Sequence, residues 1–158
     1  MRPVLFYVAV LAILAGDQVS KWAVSSRIPV GASIPAIDHV LYLTHTRNTG
    51  GAFSLLQARN TVFEVVAVMA MAALIFAYHR SRKTDLLHDA AIALALGGAA
   101  GNLADRLRFG SVVDFFDLRW WPVFNVADAA ITVGIIFLAW GFLTSGKGEE
   151  AAPSSDPP

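Results

Sequence analysis

Residues 4–24 read VLFYVAVLAILAGDQVSKWAV, an apolar run into which the first charges, Asp17 and Lys21, enter only near its end. A helix of about 20 mostly apolar residues crosses the hydrocarbon core of a bilayer, so this stretch predicts a membrane span. Arg2 followed by an apolar core resembles a signal peptide, but Asp17 and Lys21 stand where a small-residue cleavage site belongs, which makes the segment an uncleaved anchor. Working outward, Val65 to His79, Ala90 to Ala104 and Ala129 to Gly146 are free of Asp, Glu, Lys and Arg, as is Pro3 to Gly16. Extended to spanning length they predict helices at residues 61–78, 88–107 and 124–144. The expected fold class is therefore an all-α integral membrane protein with four transmembrane helices. Residues 1–145 form one domain, with a polar insertion at about 25–60 and a disordered tail over 146–158, where Pro, Ser, Gly and acidic residues prevail.

Composition agrees. The 158 residues are 56% hydrophobic and 15% charged, with a mean hydropathy of +0.56, against about 25% charged residues in soluble domains. Twelve basic and twelve acidic residues give no net charge and no basic block, which excludes a nucleic-acid partner. The absence of cysteine excludes disulfides, thiolate metal sites, a Cys nucleophile and a lipoprotein anchor of the chain's own.

The connections set the expected orientation. The short basic loop His79 to Leu87 holds Arg80, Arg82 and Lys83, which places it in the cytoplasm with Arg2 and Lys147. Arg27, Arg47, Arg59, Arg108 and Arg119 lie in or beside the opposite connections, so the assignment rests on charge density in short loops. Within the insertion, His39 to Thr46 (HVLYLTHT) has β-branched, aromatic and alternating character and ends at the turn former Asn48-Thr49-Gly50-Gly51, predicting a small strand region resting on the membrane surface or covered by protein.

With helices alternating up and down, one face of the bilayer collects the unusual polar residues. Asp17 and Lys21 end the first helix, Asn102, Asp105 and Arg106 end the third, Asn125 and Asp128 start the fourth, Asp114 lies in the link before it, and Asn48 lies in the insertion; the opposite ends offer no comparable set. Ionisable groups in a membrane cost about 2.5–3.5 kcal/mol at the helix centre on insertion scales and mark function by default. Asp17 and Lys21, acid first at i and i+4, form a favourable helical pair that either serves the site or only neutralises itself so that the helix inserts. Asn102, Asp105 and Arg106, at i, i+3 and i+4, predict an Asp-Arg pair held by an amide, as bracing or as catalysis. Gly97, Gly98 and Gly101 with Ala99 and Ala100 favour close helix packing.

Asp114 and Asp128 are the residues predicted to carry chemistry. Pro122 between them forbids one continuous helix and Trp120-Trp121 has the character of an interfacial belt, so the chain turns at the surface and can return both carboxylates to one depth, with Asn125 orienting Asp128. Two carboxyl groups in proximity share a proton; the ionised member can activate water while the protonated one hydrogen-bonds an amide carbonyl. The alternative is that either residue caps a helix or pairs with Arg106, Arg108 or Arg119. Asp117, two residues before Arg119, reads as a surface residue. His39, His45, His79 and His88 lack ligand spacing and read as surface or interfacial, and Ser54 lacks a nucleophile setting, so no metal and no serine mechanism is expected.

Five segments together resemble the lipoprotein signal peptidases: Asp17-Gln18-Val19-Ser20-Lys21; Arg47-Asn48-Thr49-Gly50-Gly51-Ala52-Phe53-Ser54; Gly97 to Arg106 (GGAAGNLADR); Val112-Val113-Asp114-Phe115; and Phe124-Asn125-Val126-Ala127-Asp128. The one departure is Gly51, where alanine is common. The resemblance implies a bacterial inner-membrane aspartic endopeptidase with both termini cytoplasmic, and a small β-rich cradle and short helix on the extracytoplasmic side, near which the active site lies. It implies cleavage of prolipoproteins just before a diacylglyceryl-modified cysteine, with Asp114 and Asp128 as the catalytic dyad. Asn48, Gly50, Asn102, Arg106 and Asn125 are then expected to shape the substrate site, and Asp17, Lys21 and Asp105 to support it. Phe53 and Trp121 become acyl-glyceryl contacts or plain interfacial anchors. No cofactor is implied, and the partners expected are the lipidated substrate and membrane lipid, with the protein acting as a monomer. A proton-coupled carrier is the rival reading from another class; it needs a polar path through the whole membrane. A structural or assembly role ranks third, because it leaves the intramembrane carboxylates without a purpose.

Overall fold

A computed structural model describes residues 3–50, 60–81 and 86–145. They form four long helices, α1 (Pro3–Ser25), α2 (Asn60–Arg80), α3 (Leu86–Phe109) and α4 (Val126–Ser145), and three strands, β1 (Ser33–Ile37), β2 (Leu41–Asn48) and β3 (Val112–Asp117). All four helices are long and apolar enough to cross a membrane. The tail, Ser54 and Phe53 lie outside the described residues, as do Arg2, Arg59, Arg82 and Lys83. Among the described residues there is no counterpart to the short extracytoplasmic helix.

The four spans fall within two residues of the predicted bounds. α4 starts at Val126 rather than Phe124 because Phe124 is held in extended form, exchanging backbone hydrogen bonds with Phe116. α3 is the central element: it packs on each of the other three helices, and about half of its spanning window is buried, against none of α2's. Its glycines make this possible. A Cβ at Gly98 would press on the Ala127 carbonyl of α4, and one at Gly97 on Ile13 of α1, so the small-residue run allows backbones to approach closely where lipid offers no hydrophobic drive for packing.

The three strands form one antiparallel sheet in the order β1-β2-β3, at the end of the bundle where α1 and α3 finish. β2 pairs Arg47 with Val113 and Asn48 with Val112. Asp114 lies in the link between α3 and α4, as the sequence indicates, and the structure shows that this part of the link is a buried strand. Val24, Ile28 and Phe115 form a small core that seats the sheet on α1. His45 is likewise buried, not a surface residue; its Nδ1 lies 2.7 Å from the Ile28 carbonyl and locks the turn after α1 to β2.

At the other end, Phe6 stacks on Tyr78 with ring centroids 3.6 Å apart, and Tyr7 Oη hydrogen-bonds His79 Nε2 at 3.0 Å. Asp89 is also buried there, at 4% exposure, an acidic residue at the end that the sequence reading left without a polar set. Between the two ends Val10, Ile92, Ala93 and Leu96 form an apolar layer. Among the described residues no polar path runs through the bundle as a carrier requires.

Candidate active site

Two layers of polar residues meet where the sheet rests on α1, α3 and α4. The lower layer centres on Lys21, whose Nζ lies 2.8 Å from Asp17 Oδ2 and 3.1 Å from Asp105 Oδ2 and donates to Asn102 Oδ1 at 2.9 Å. Asp17, Lys21 and Asp105 are all at or below 3% exposure. A buried ion is tolerable only when paired and hydrogen-bonded, and each carboxylate here uses its second oxygen. Asp17 Oδ1 accepts from the Ala127 backbone N–H in the first turn of α4, where the helix dipole favours an anion. Asp105 Oδ1 accepts from Gln18 Nε2, while its Oδ2 also accepts from the Val113 backbone N–H of β3. The Asp17–Lys21 pair thus ties α1 to α3, α4 and the sheet, beyond neutralising itself. Gly101 makes room for it, since a Cβ there would collide with the Asp17 carboxylate.

The upper layer holds the dyad. Asp114 Oδ1 accepts from Asn125 Nδ2 at 2.7 Å and its Oδ2 from Asn48 Nδ2 at 2.9 Å. Asp128 Oδ1 accepts from Asn102 Nδ2 at 2.8 Å and its Oδ2 from the Asn125 backbone N–H at 3.2 Å. Asn125 and Asp128 also form a reciprocal capping box at the start of α4, because Asn125 Oδ1 accepts the Asp128 N–H at 2.9 Å. Asp128 does cap a helix, then, and the same bonds fix its carboxylate beside Asp114. Asp114 is 2% exposed, and its carboxyl is pushed up to about 6, first by burial and further by the charge of Asp128, against the lowering hydrogen bonds of Asn48 and Asn125 and the charge of Lys21.

Each amide is held one way round. Lys21 occupies Asn102 Oδ1, so the Asn102 nitrogen must face Asp128. The Gly50 backbone N–H occupies Asn48 Oδ1, so the Asn48 nitrogen must face Asp114. Gly50 has φ +85°, and a Cβ there would lie 2.8 Å from the Phe63 ring, so this turn requires glycine.

The structure thus brings together Asp17, Lys21, Asn48, Gly50, Asn102, Asp105, Asp114, Asn125 and Asp128, from α1, β2, α3, β3 and α4 and from the residues just after β2 and just before α4. Arg106 is the exception. The expected Asp105–Arg106 pair does not form, because neighbours on a helix point about 100° apart: Asp105 faces Lys21, whereas Arg106 lies over the Phe63 ring of α2, 5.7 Å from its centroid. Asp117 accepts from Thr44 Oγ1 at 2.7 Å, its carboxyl held below the usual range by that bond first, and its carboxylate lies 3.4 Å from Arg119. This local role is the expected one, although the residue is buried. Gln18 was missed as a functional residue. Between Asp17 and Lys21 in sequence, it bridges Asp17, Asp105 and the Gly101 carbonyl, and its neighbours on α1 were the signal that could have found it.

Beside Asp128 an apolar cleft of about 420 Å³ opens between the link after β3 and α4, walled by Trp120, Trp121, Phe124 and Val133. Two carboxylates held by donors only and flanked by an apolar cleft have the chemistry to activate a water against an amide and to accommodate a greasy substituent next to it.

Residues 9–144 match the profile of the family described as Signal peptidase (SPase) II. The chain is 43% identical over 137 residues to a lipoprotein signal peptidase of Pelotomaculum thermopropionicum, covering 87% of this chain and 90% of that one. It is 45% identical over 138 residues to another from Moorella thermoacetica, covering 87% and 92%. A solved structure described as a bacterial membrane enzyme at 1.9 Å resolution superposes with a TM-score of 0.85 at 30% identity, covering 90% of this chain and 95% of that one. A match over nearly all the chain, on a four-span bundle whose polar residues meet in one site, makes this protein a member of the signal peptidase II family of membrane proteases.

Proposed function

We propose that this protein cleaves prolipoproteins just before a diacylglyceryl-modified cysteine, with Asp114 and Asp128 as the catalytic dyad. The observation that carries this is the donor-only cradle around the two carboxylates, Asn48 and Asn125 on Asp114 with Asn102 and the Asn125 N–H on Asp128. Such a cradle stabilises a singly charged pair. The ionised carboxylate takes a proton from water as it attacks the scissile carbonyl; the protonated one hydrogen-bonds the carbonyl oxygen and then supplies a proton to the leaving amine. Asp17, Lys21 and Asp105 hold the elements in register. Arg106, on Phe63, and Gly50, in the turn that fixes Asn48, border the approach from α2 and contact substrate there. The apolar cleft at Trp121 takes the acyl-glyceryl group.

In this reading the protein works as a monomer in the bacterial inner membrane, with the sheet end extracytoplasmic and both termini cytoplasmic. Since the chain has no cysteine, single substitutions test that directly. An impermeant maleimide labels Ser26→Cys in intact spheroplasts and Ser81→Cys only after permeabilisation; the reverse pattern overturns the orientation.

The substrate assignment is tested by incubating the purified protein with a diacylglyceryl-modified prolipoprotein and with its unlipidated form. Release of the intact signal peptide from the first alone is expected. Equal cutting of both removes the lipid requirement, and cutting of neither removes the function.

A further inference from the structure

A second cleft, sharing no residue with the apolar one, lies between the sheet ends of α1 and α3 under β2 and β3. It encloses about 230 Å³, and its wall includes Gln18, Lys21, Trp22, Arg47, Arg108 and Phe109. Asp105 lines it too, and with Asp17 it sets two carboxylates against Lys21, so Arg47 and Arg108 leave the cleft with one net positive charge. Lys21 is spoken for by Asp17 and Asp105. Arg47 lies over the Phe109 ring, 5.1 Å from the centroid, and Arg108 donates to Gln18 Oε1 at 3.1 Å. Neither guanidinium forms an ion pair with a carboxylate among the described residues, so two arginines without a salt-bridge partner there face one cleft. Guanidinium forks match phosphate oxygens bidentately.

The rim says what carries the phosphate. Trp22, Leu107 and Phe109 are 67%, 68% and 57% exposed on two membrane-spanning helices, so the cleft opens through an apolar wall, at the level of the bundle where the polar sheet begins. A soluble anion has no use for that wall, whereas a two-chain lipid does, and basic pockets between spanning helices suit anionic headgroups.

We infer that this cleft seats the phosphate of an anionic phospholipid between Arg47 and Arg108, with the acyl chains descending past Trp22 and Phe109. The site is distinct from that for the substrate's glyceryl group, which bears no charge. Gln18 links Arg108 to Asp17 and Asp105, so the bound lipid braces the layer beneath the dyad, and its binding raises the melting temperature.

The test uses the full chain in a neutral detergent, titrated with phosphatidylglycerol, with phosphatidylcholine of the same acyl chains, and with sodium phosphate. Binding is read by native mass spectrometry and by melting temperature. The expected result is saturable binding of phosphatidylglycerol, about tenfold tighter than that of phosphatidylcholine, the size of one charge-assisted pair, and reduced about as much in Arg47→Gln/Arg108→Gln. Equal binding of the two lipids by the wild type overturns the proposal whether or not the variant folds. Undiminished phosphatidylglycerol binding by the folded double variant, or by Arg108→Gln alone together with Arg47→Gln alone, overturns it too. If sodium phosphate reproduces the whole shift, the lipid is the wrong source and a soluble anion is the ligand.

Discussion

The two ends of the helical bundle are built by different physics. At the sheet end, side chains are fixed by directional bonds: Lys21, Asn102 and Asn125 each serve at least two partners, and local pairs such as Asp17–Lys21 are joined to contacts between residues far apart in sequence. At the far end, Phe6 and Tyr78 stack face to face, Tyr7 packs edge-on against Phe6, and the polar link Tyr7–His79 lies at the surface. The first arrangement specifies where atoms and protons sit, while the second, Asp89 apart, specifies mainly shape. Site chemistry therefore belongs where an isosteric exchange is harmful, and scaffolding where it is not.

This contrast can be broken by substitution. The largest effect on stability is expected for Lys21→Met, which leaves Asp17 and Asp105 buried without their cation. Removing one partner of a buried pair costs about 3–5 kcal/mol, and the melting temperature in detergent should fall accordingly; an unchanged value would show the lower layer to be dispensable. Gly101→Ala pushes on the Asp17 carboxylate and is expected to cost about 1–3 kcal/mol by overpacking. Gly16→Ala on α1, where an added Cβ meets nothing, is the control that should not. At the far end, Tyr7→Phe removes only one exposed hydrogen bond and should shift stability by less than about 1 kcal/mol without changing cleavage.

The pH response sharpens the same contrast. Asp114 has its carboxyl raised from 3.8 to about 6 in the folded protein, so the native state holds that proton more tightly than the unfolded chain does. Its contribution to stability is complete below about pH 4 and is lost as pH rises through about 6. Between those values, a melting curve for Asp114→Asn should lack the decline that this residue gives the wild type. For activity, a dyad needing one shared proton makes kcat/KM fall on the alkaline side, beginning near the Asp114 value.

Much of this was legible in the sequence because two signals are local. Apolar length located the four spans, and helical spacing put Asp17 with Lys21 and Asn125 with Asp128. What could not be read depends on partners distant in sequence. The strand Val112–Asp117 (VVDFFD) is buried on both faces, so it lacks the alternation that marks a half-exposed strand, and only its pairing with β2 reveals it. Arg106 misled because a face defined by i, i+3 and i+4 is wide enough for its edges to touch different helices. His45 misled because a polar residue in a short strand gave no hint of the Ile28 carbonyl waiting for it. Small-residue spacing predicts close packing at Gly101 and a turn at Gly50, but only the structure shows that Gly101 makes way for a carboxylate and Gly50 for an aromatic ring.

The central claim, that two carboxylates cradled by amides perform the cleavage, is tested most directly by measuring prolipoprotein cleavage and melting temperature together for the wild type, Asp114→Asn and Asp128→Asn. The account predicts that each substitution lowers the rate by about 10³-fold or more, within the range for lost acid–base catalysis, while each variant still melts cooperatively. Cleavage at a near wild-type rate by either folded variant would contradict it.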